Sequence, residues 1–171
     1  PQKVTDTMIQ MLREKNPMEI HGYSQSFGIP EVRDKVAASL NKRFGMNYTG
    51  NHIFMTSGAA GAIAHAVRCV AEPGDEVLTF APFFPEYHPY IDLTGAVLKV
   101  VPADTTSFQI NFEAFQEMLT DKVKAVLINT PNNPSGIVYS TATIQKLADL
   151  LTEKSKTYGH TIFLISDEPY R

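Results

Sequence analysis

The sequence lacks the cysteine pairs of disulfide-bonded proteins and the histidine spacings of common metal sites. It has no tryptophan and one cysteine, Cys69, so no disulfide can form within the chain and a cytoplasmic location fits best. Cys69 falls in an apolar segment that we interpret as a packed helix, and we expect a buried structural thiol rather than a nucleophile. The five histidines show no HExxH or related spacing, so no metal site is predicted.

Basic charge and long apolar runs are also scarce. The formal net charge is −3, which gives no basic footprint for nucleic acid. No apolar run approaches the roughly 20 residues needed to cross a bilayer, and no signal-peptide pattern opens the sequence. No methionine precedes Pro1, which predicts that processing or truncation removed an earlier part of the protein.

Strand and helix patterns alternate from about residue 53 onward, after an N-terminal helical segment over residues 1–50. This alternation is typical of an α/β fold with a mostly parallel sheet and flanking helices, here over residues 51–171. The predicted strands are Ile53–Thr56, Glu76–Phe80, Val97–Val101, Ala125–Asn129 and Ile162–Ser166. The predicted helices are Glu31–Phe44, Gly58–Ala71, Phe84–Leu93, Phe112–Thr120 and Thr141–Tyr158.

A run of small residues from Thr56 to Ala62 follows the first predicted strand and leads into a helix. Small residues let a phosphate approach the backbone, and a helix N-terminus presents N–H groups and a positive dipole end. Glycine and alanine serve close helix–sheet packing equally well, so packing stays open as the alternative. The run does not match the dinucleotide fingerprint GxGxxG.

Two further loops follow the second and fourth predicted strands. PFFPEY over residues 82–87 could stack an aromatic ring on a flat heterocycle, although core packing beneath a rigid turn explains the same residues. NTPNNPSG over residues 129–136 offers an asparagine amide that could bond a ring hydroxyl, although Asn-Pro and Ser-Gly are common turn formers. We expect these loops to converge, because the carboxyl ends of parallel strands meet at one sheet edge.

The last predicted strand delivers Asp167 to the same edge, with Tyr170 three residues further on. A carboxylate at this position is suited to pairing with a protonated ring nitrogen, as in enzymes that use pyridoxal phosphate. The sequence therefore predicts a binding site assembled from the ends of several strands.

The segments GYSQSFGIPEVR, TSGAAGAI, PFFPEY, NTPNNPSG and SDEPY together resemble the class I/II aminotransferases, pyridoxal phosphate enzymes of fold type I related to aspartate aminotransferase. The resemblance runs from about Tyr23 to Tyr170, with the motifs in the order of the family. It implies that residues 1–171 are a truncated large domain of a homodimeric enzyme. That enzyme would transfer an amino group between an L-amino acid and a 2-oxo acid.

The resemblance also implies how the cofactor phosphate is held. Gly58, Ala59 and Ala60 match the loop whose backbone amides bind the phosphate. Tyr23 matches a tyrosine that crosses the dimer interface to the phosphate in the partner's site.

Four more residues match those that surround the cofactor ring. Phe84 matches the aromatic residue that stacks on the pyridine, and Asp167 matches the carboxylate that pairs with the ring nitrogen. Asn133 and Tyr170 match the residues that bond the phenolic oxygen.

The family's Schiff-base lysine and its substrate-binding arginines would lie beyond Arg171. None of the ten lysines present matches the catalytic one, so the resemblance predicts no catalytic residue within the chain. Residues 1–171 alone are therefore expected to be inactive.

Three alternatives remain open at this point. A carbon–sulfur lyase of the cystathionine β-lyase type would keep the same cofactor-binding residues and differ in its product. A non-catalytic sensory domain would bind pyridoxal phosphate without turnover. A nucleotide-binding α/β domain would use TSGAAGAI for phosphate, but it leaves Asn133, Asp167 and Tyr170 unexplained.

Overall fold

The structure, a computed structural model, describes residues 1–170, which fall into two compact units. The first is Pro1–Thr56, and the second begins at Ser57. The first unit contains helices α1 (Gln2–Glu14), α2 (Pro17–His21) and α3 (Pro30–Phe44), followed by a 3-10 helix over Gly50–His52.

Side chains of α3 hold the segment that follows it. Arg33 donates from Nε to the carbonyl oxygens of Gly50 and Ile53, each at 2.9 Å. Asp34 accepts a hydrogen bond from the N–H of Gly50 at 3.1 Å. These bonds satisfy backbone groups that lie outside any sheet.

The predicted strand over Ile53–Thr56 is wrong. The backbone is extended at Ile53, with φ −109° and ψ 124°, but Met55 donates its N–H to the carbonyl of the loop residue Phe27 at 3.3 Å. A strand needs a ladder of hydrogen bonds to a neighbouring strand, and within residues 1–170 no strand pairs with this segment. The apolar pattern predicted the extended backbone, but an extended segment becomes a strand only when it pairs with a neighbour.

The second unit is an α/β fold, which confirms the predicted class. Its four strands are all parallel and lie in the order β2-β1-β3-β4. The strands are β1 (Glu76–Phe80), β2 (Val97–Val101), β3 (Val123–Asn129) and β4 (Phe163–Asp167). The helices are α4 (Gly58–Val70), α5 (Tyr87–Asp92), α6 (Phe112–Met118) and α7 (Thr141–Tyr158).

Helices cover both faces of the sheet and create two hydrophobic cores. One core packs α6 and α7 against one face, and the other packs α4 and α5 against the opposite face. Successive strand side chains point to opposite faces, so Leu78 enters the first core and Val77 the second. Because helices cover both faces, β1 is buried at every position and β3 at all but one.

Helix boundaries follow local backbone chemistry. Helix α7 has the predicted bounds, because the Ser140 hydroxyl accepts from the N–H of Thr143 at 3.1 Å and Gly159 ends the helix in the left-handed conformation. Helix α5 begins at Tyr87 instead of the predicted Phe84. Pro85 disfavours helical backbone in the residue before it, so Phe84 stays in the loop after β1.

The prediction of a buried Cys69 is also wrong, since Cys69 is exposed on α4. This helix buries Ile63 and Val67. At 3.6 residues per turn, Cys69 lies about 200° around the helix from Val67 and therefore on its outer face.

Two kinds of feature are absent from residues 1–170. None of the helices in this range is both long and apolar enough to span a bilayer. In the same range, histidine, cysteine, aspartate and glutamate side chains nowhere form a group of three or more that could hold a metal ion.

Candidate functional site

The strand order reverses at β1, which places a natural binding position at one edge of the sheet. The chain passes from β1 to β2 on one side and then to β3 on the other side. Ligands of open parallel sheets bind outside the carboxyl ends of the strands at such a reversal. The loops that follow β1, β3 and β4 line a cavity of about 260 Å³, together with the first turn of α4.

Five of the residues predicted from the sequence line this one cavity: Ala59, Phe84, Asn133, Asp167 and Tyr170. Gly58 and Ala60 flank Ala59 in the first turn of α4. Tyr23 lies in the first unit, in the loop after α2, with a fully exposed side chain, and its role stays a prediction.

Tyr87 fixes the carboxylate of Asp167. The Tyr87 ring is completely buried in the core between the sheet, α4 and α5, and its hydroxyl donates to Asp167 Oδ2 at 2.7 Å. Burial, followed by the hydrogen bond to Asp167, raises the pKa of the Tyr87 phenol well above its usual range. The phenol therefore remains protonated near neutral pH and acts as a permanent donor to this carboxylate.

Asn129 connects the ends of β3 and β4. It is only 4% exposed, and it lies directly opposite Asp167 in the parallel register of the two strands. Its Nδ2 donates to the carbonyl oxygen of Asp167 at 2.9 Å, and its Oδ1 accepts from the N–H of Asn133 at 2.6 Å. One buried amide thus contacts the backbone of two residues that line the cavity.

The loop that carries Asn133 is closed by its own hydrogen bonds. The Asn132 side-chain oxygen accepts from the N–H and the hydroxyl of Ser135, at 3.1 and 2.7 Å. The N–H of Gly136 donates to the carbonyl of Asn132 at 2.7 Å, and Gly136 has a left-handed φ of 72°. The loop is therefore a compact turn with a defined shape.

The first turn of α4 forms another part of the wall. Ser57 precedes the helix, and its hydroxyl makes no capping hydrogen bond to it. Gly58 has φ +78°, which places the chain in a conformation that favours glycine. The N-terminus of a helix carries the positive end of its dipole, so an anion is a suitable ligand for this turn.

The sequence did not indicate four other residues of the site: Tyr87, Asn129, Glu86 and Tyr90. Tyr90 donates from its hydroxyl to Glu86 Oε2 at 2.7 Å, and both residues line the cavity. Position at the carboxyl end of a strand was the available signal for Asn129. Tyr87 gave a weaker signal, as an aromatic residue with a hydroxyl at the end of the PFFPEY segment.

A parallel sheet with aromatic, amide and carboxylate groups gathered at its reversal is typical of α/β domains that bind small ligands. The sequence model of the family described as "Aminotransferase class I and II" matches residues 1–171. The chain belongs to that family.

Similar proteins agree with this membership. The aspartate aminotransferase of Thermotoga maritima is 32% identical over 171 residues, a match that covers 99% of this chain and 43% of the relative. A probable N-acetyl-LL-diaminopimelate aminotransferase of Bacillus subtilis is 35% identical over 154 residues, covering 88% of this chain and 37% of the relative. The crystal structure of an aminotransferase from Eubacterium rectale superposes with a TM-score of 0.96 at 43% identity, covering 99% of this chain and 43% of that one. The chain therefore spans about two fifths of the length of the proteins it matches.

Proposed function

We propose that residues 1–171 bind pyridoxal phosphate in this cavity and belong to an enzyme that transfers an amino group between an L-amino acid and a 2-oxo acid. The observation that carries the proposal is the gathering of Phe84, Asn133, Asp167 and Tyr170 around one cavity. These residues supply an aromatic face, an amide, a carboxylate and a phenol. The experiments below use the full-length protein, meaning the whole natural polypeptide that contains residues 1–171.

The donors and acceptors of the cavity fit the ring of pyridoxal phosphate. Asp167 offers a carboxylate to a protonated ring nitrogen, and Tyr87 already holds one of its oxygens. Asn133 and Tyr170 offer an amide and a hydroxyl to the phenolic oxygen, and Phe84 offers a stacking face. When bound, pyridoxal phosphate accepts negative charge from the carbon that carries the substrate amino group.

The remaining assignments concern the phosphate and the partner subunit. The backbone of Gly58, Ala59 and Ala60 at the start of α4 would hold the phosphate. In a homodimer, Tyr23 would reach the phosphate of the partner's site. No lysine is among the described residues that line the cavity, so we expect the lysine that binds the cofactor to lie outside residues 1–171.

A product assay tests the proposed reaction. Full-length protein supplied with pyridoxal phosphate, a panel of L-amino acids and 2-oxoglutarate should form glutamate together with the 2-oxo acid of the donor. Each glutamate formed should match one donor consumed. Pyruvate released from a sulfur amino acid without any acceptor would instead support the lyase alternative and contradict the proposal.

Tyr87→Phe should weaken pyridoxal phosphate binding while preserving the core. The substitution keeps the buried ring and removes only the hydroxyl that donates to Asp167. Hydrogen bonds to charged groups are worth about 1.5–3 kcal/mol, so we expect a loss of affinity of about 10-fold or more. Fluorescence or absorbance titration of the full-length protein with the cofactor measures it.

Tyr158→Phe is the matched control for Tyr87→Phe. It removes a tyrosine hydroxyl that donates to the carbonyl of Leu119 at 2.6 Å, away from the cavity. It should leave cofactor affinity unchanged and lower the free energy of unfolding by about 1 kcal/mol. Equal affinities for the wild type and Tyr87→Phe would refute the role given to the Tyr87 hydroxyl.

Gly58→Ala should strain the phosphate-binding turn. A Cβ on Gly58 would meet no atom within 4 Å, so the cost comes only from φ +78° and amounts to about 1 kcal/mol. Gly45→Ala is the control, since Gly45 has φ +66° and equally open surroundings at the end of α3. Both variants should lose similar stability on thermal unfolding, but only Gly58→Ala should lose affinity for pyridoxal phosphate. Equal affinity losses in the two variants would argue against a phosphate at α4.

A further inference from the structure

Asn129 is a buried polar residue with two hydrogen-bonding partners, Asp167 at the end of β4 and Asn133 in the loop that follows β3. An uncharged amide in a protein interior is costly unless its groups are paired, and both ends of this one are paired. The chemistry of the partners fixes the orientation of the amide. The N–H of Asn133 requires an acceptor and the carbonyl of Asp167 requires a donor, so only one of the two amide orientations satisfies both.

Both hydrogen-bonding partners of Asn129 line the cavity. Asn133 carries the amide and Asp167 the carboxylate that face the cavity. Hydrogen bonds among Asn132, Ser135 and Gly136 hold the Asn133 loop in one compact turn, so we expect the loop to move as a unit. The Asn133 N–H bonds to Asn129 at the end of β3, and Asn129 in turn bonds to the Asp167 carbonyl at the end of β4.

We propose that Asn129 is a positioning residue that sets the separation between Asn133 and Asp167. The inference rests on the proposed function, in which Asp167 binds the nitrogen and Asn133 the phenolic oxygen of one aromatic ring. Asn129 also lines the cavity, but its Nδ2 and Oδ1 are already bonded to the backbone of Asp167 and Asn133. It acts through the two backbone groups that it holds, because the parallel register places it opposite Asp167 and its own chain leads to Asn133 four residues later.

Two substitutions distinguish the contributions of the two hydrogen bonds that the Asn129 amide makes. Asn129→Leu has a similar volume and removes both hydrogen bonds. Asn129→Asp keeps an oxygen for the N–H of Asn133 but sets a second oxygen against the carbonyl of Asp167. Thr79→Val is the matched control, since Thr79 is 2% exposed on β1 and its hydroxyl makes one buried bond, to the carbonyl of Leu127 at 3.0 Å.

The first measurement uses full-length protein without added cofactor. Amide hydrogen exchange at Asn133 should be about 10-fold faster or more in Asn129→Leu, because its N–H loses its acceptor. It should stay near the wild-type rate in Asn129→Asp and in Thr79→Val. An unchanged rate in Asn129→Leu overturns the inference, whatever the cofactor results.

The second measurement is the affinity of the same proteins for pyridoxal phosphate. We expect both Asn129 variants to bind about 10- to 100-fold more weakly than the wild type. The pH midpoint of the absorbance of the bound cofactor should also move in both variants, because the groups around its ring are displaced. The Thr79→Val protein should match the wild type in affinity and midpoint.

The outcomes distinguish two kinds of failure. Wild-type binding combined with unchanged affinity and midpoint in both Asn129 variants overturns the positioning role alone. Absence of pyridoxal phosphate binding by the wild type overturns the proposed function, and the inference with it. Two results together support the positioning role and the proposed function. Asn129→Leu should show faster amide exchange at Asn133 and weaker binding of pyridoxal phosphate. Asn129→Asp should show weaker binding with exchange near the wild-type rate.

Discussion

Asp167→Ala in the full-length protein should lower the rate of amino transfer by about 100- to 5,000-fold, because removing one member of a buried charge pair costs about 3–5 kcal/mol. Asp167 ends β4, lines the cavity, and presents the carboxylate proposed to pair with the ring nitrogen. The loss should appear in kcat as well as in cofactor affinity, since this pairing favours the charge that develops during the reaction. Single-turnover kinetics at saturating pyridoxal phosphate separates the two.

A second consequence of Asp167→Ala must be separated from the loss of chemistry. The substitution also leaves the buried hydroxyl of Tyr87 without its acceptor, and such an orphaned group costs about 1–3 kcal/mol of stability. The double variant Asp167→Ala with Tyr87→Phe removes both partners. It should regain part of that stability but none of the activity. Near wild-type turnover in Asp167→Ala would show that another group pairs with the ring nitrogen.

Phe115→Ala should lower the free energy of unfolding of the second unit by about 3–5 kcal/mol. Truncating a buried phenylalanine leaves a cavity in addition to the loss of apolar burial. Phe115 of α6 is completely buried, and its ring centroid lies 5.3 Å from that of Phe80 and 6.4 Å from that of Phe112. Phe80 ends β1, immediately before the loop that carries Phe84. The same change should therefore loosen one wall of the cavity.

Chemical denaturation of the full-length protein measures this effect, and two variants calibrate it. Phe115→Leu restores most of the lost volume and should cost clearly less than Phe115→Ala. Phe108→Ala removes the same atoms from a side chain that is 39% exposed, so its cost should be below about 1 kcal/mol. Similar losses for Phe115→Ala and Phe108→Ala would contradict the described packing of α6.

The sequence predicted the elements whose signals are local. The bounds of β1, β2 and α7 are the predicted ones, because apolar runs between turn residues define the strands and Ser140 and Gly159 delimit the helix. Helices α1 and α2 were predicted only as a helical segment. The strand expected at Ile53–Thr56 failed because pairing depends on a neighbouring strand, which a local pattern does not contain.

In the candidate site, too, the sequence predicted residues with a local signal but not the contacts between distant parts of the chain. Position at strand ends, together with the family resemblance, indicated Phe84, Asn133 and Asp167. The bonds of Tyr87 and Asn129 to Asp167 span 80 and 38 residues of sequence. They depend on strand order and register, which no motif in the sequence records.

The measurement that tests the central claim most directly is a structure of the full-length protein with pyridoxal phosphate bound. The claim predicts the ring nitrogen within about 3 Å of an Asp167 oxygen, as in a charge-assisted hydrogen bond. It also predicts the ring against Phe84 and the phosphate at the start of α4. A cofactor bound elsewhere, or a ring nitrogen that faces a different group while Asp167 bonds only Tyr87, would contradict it.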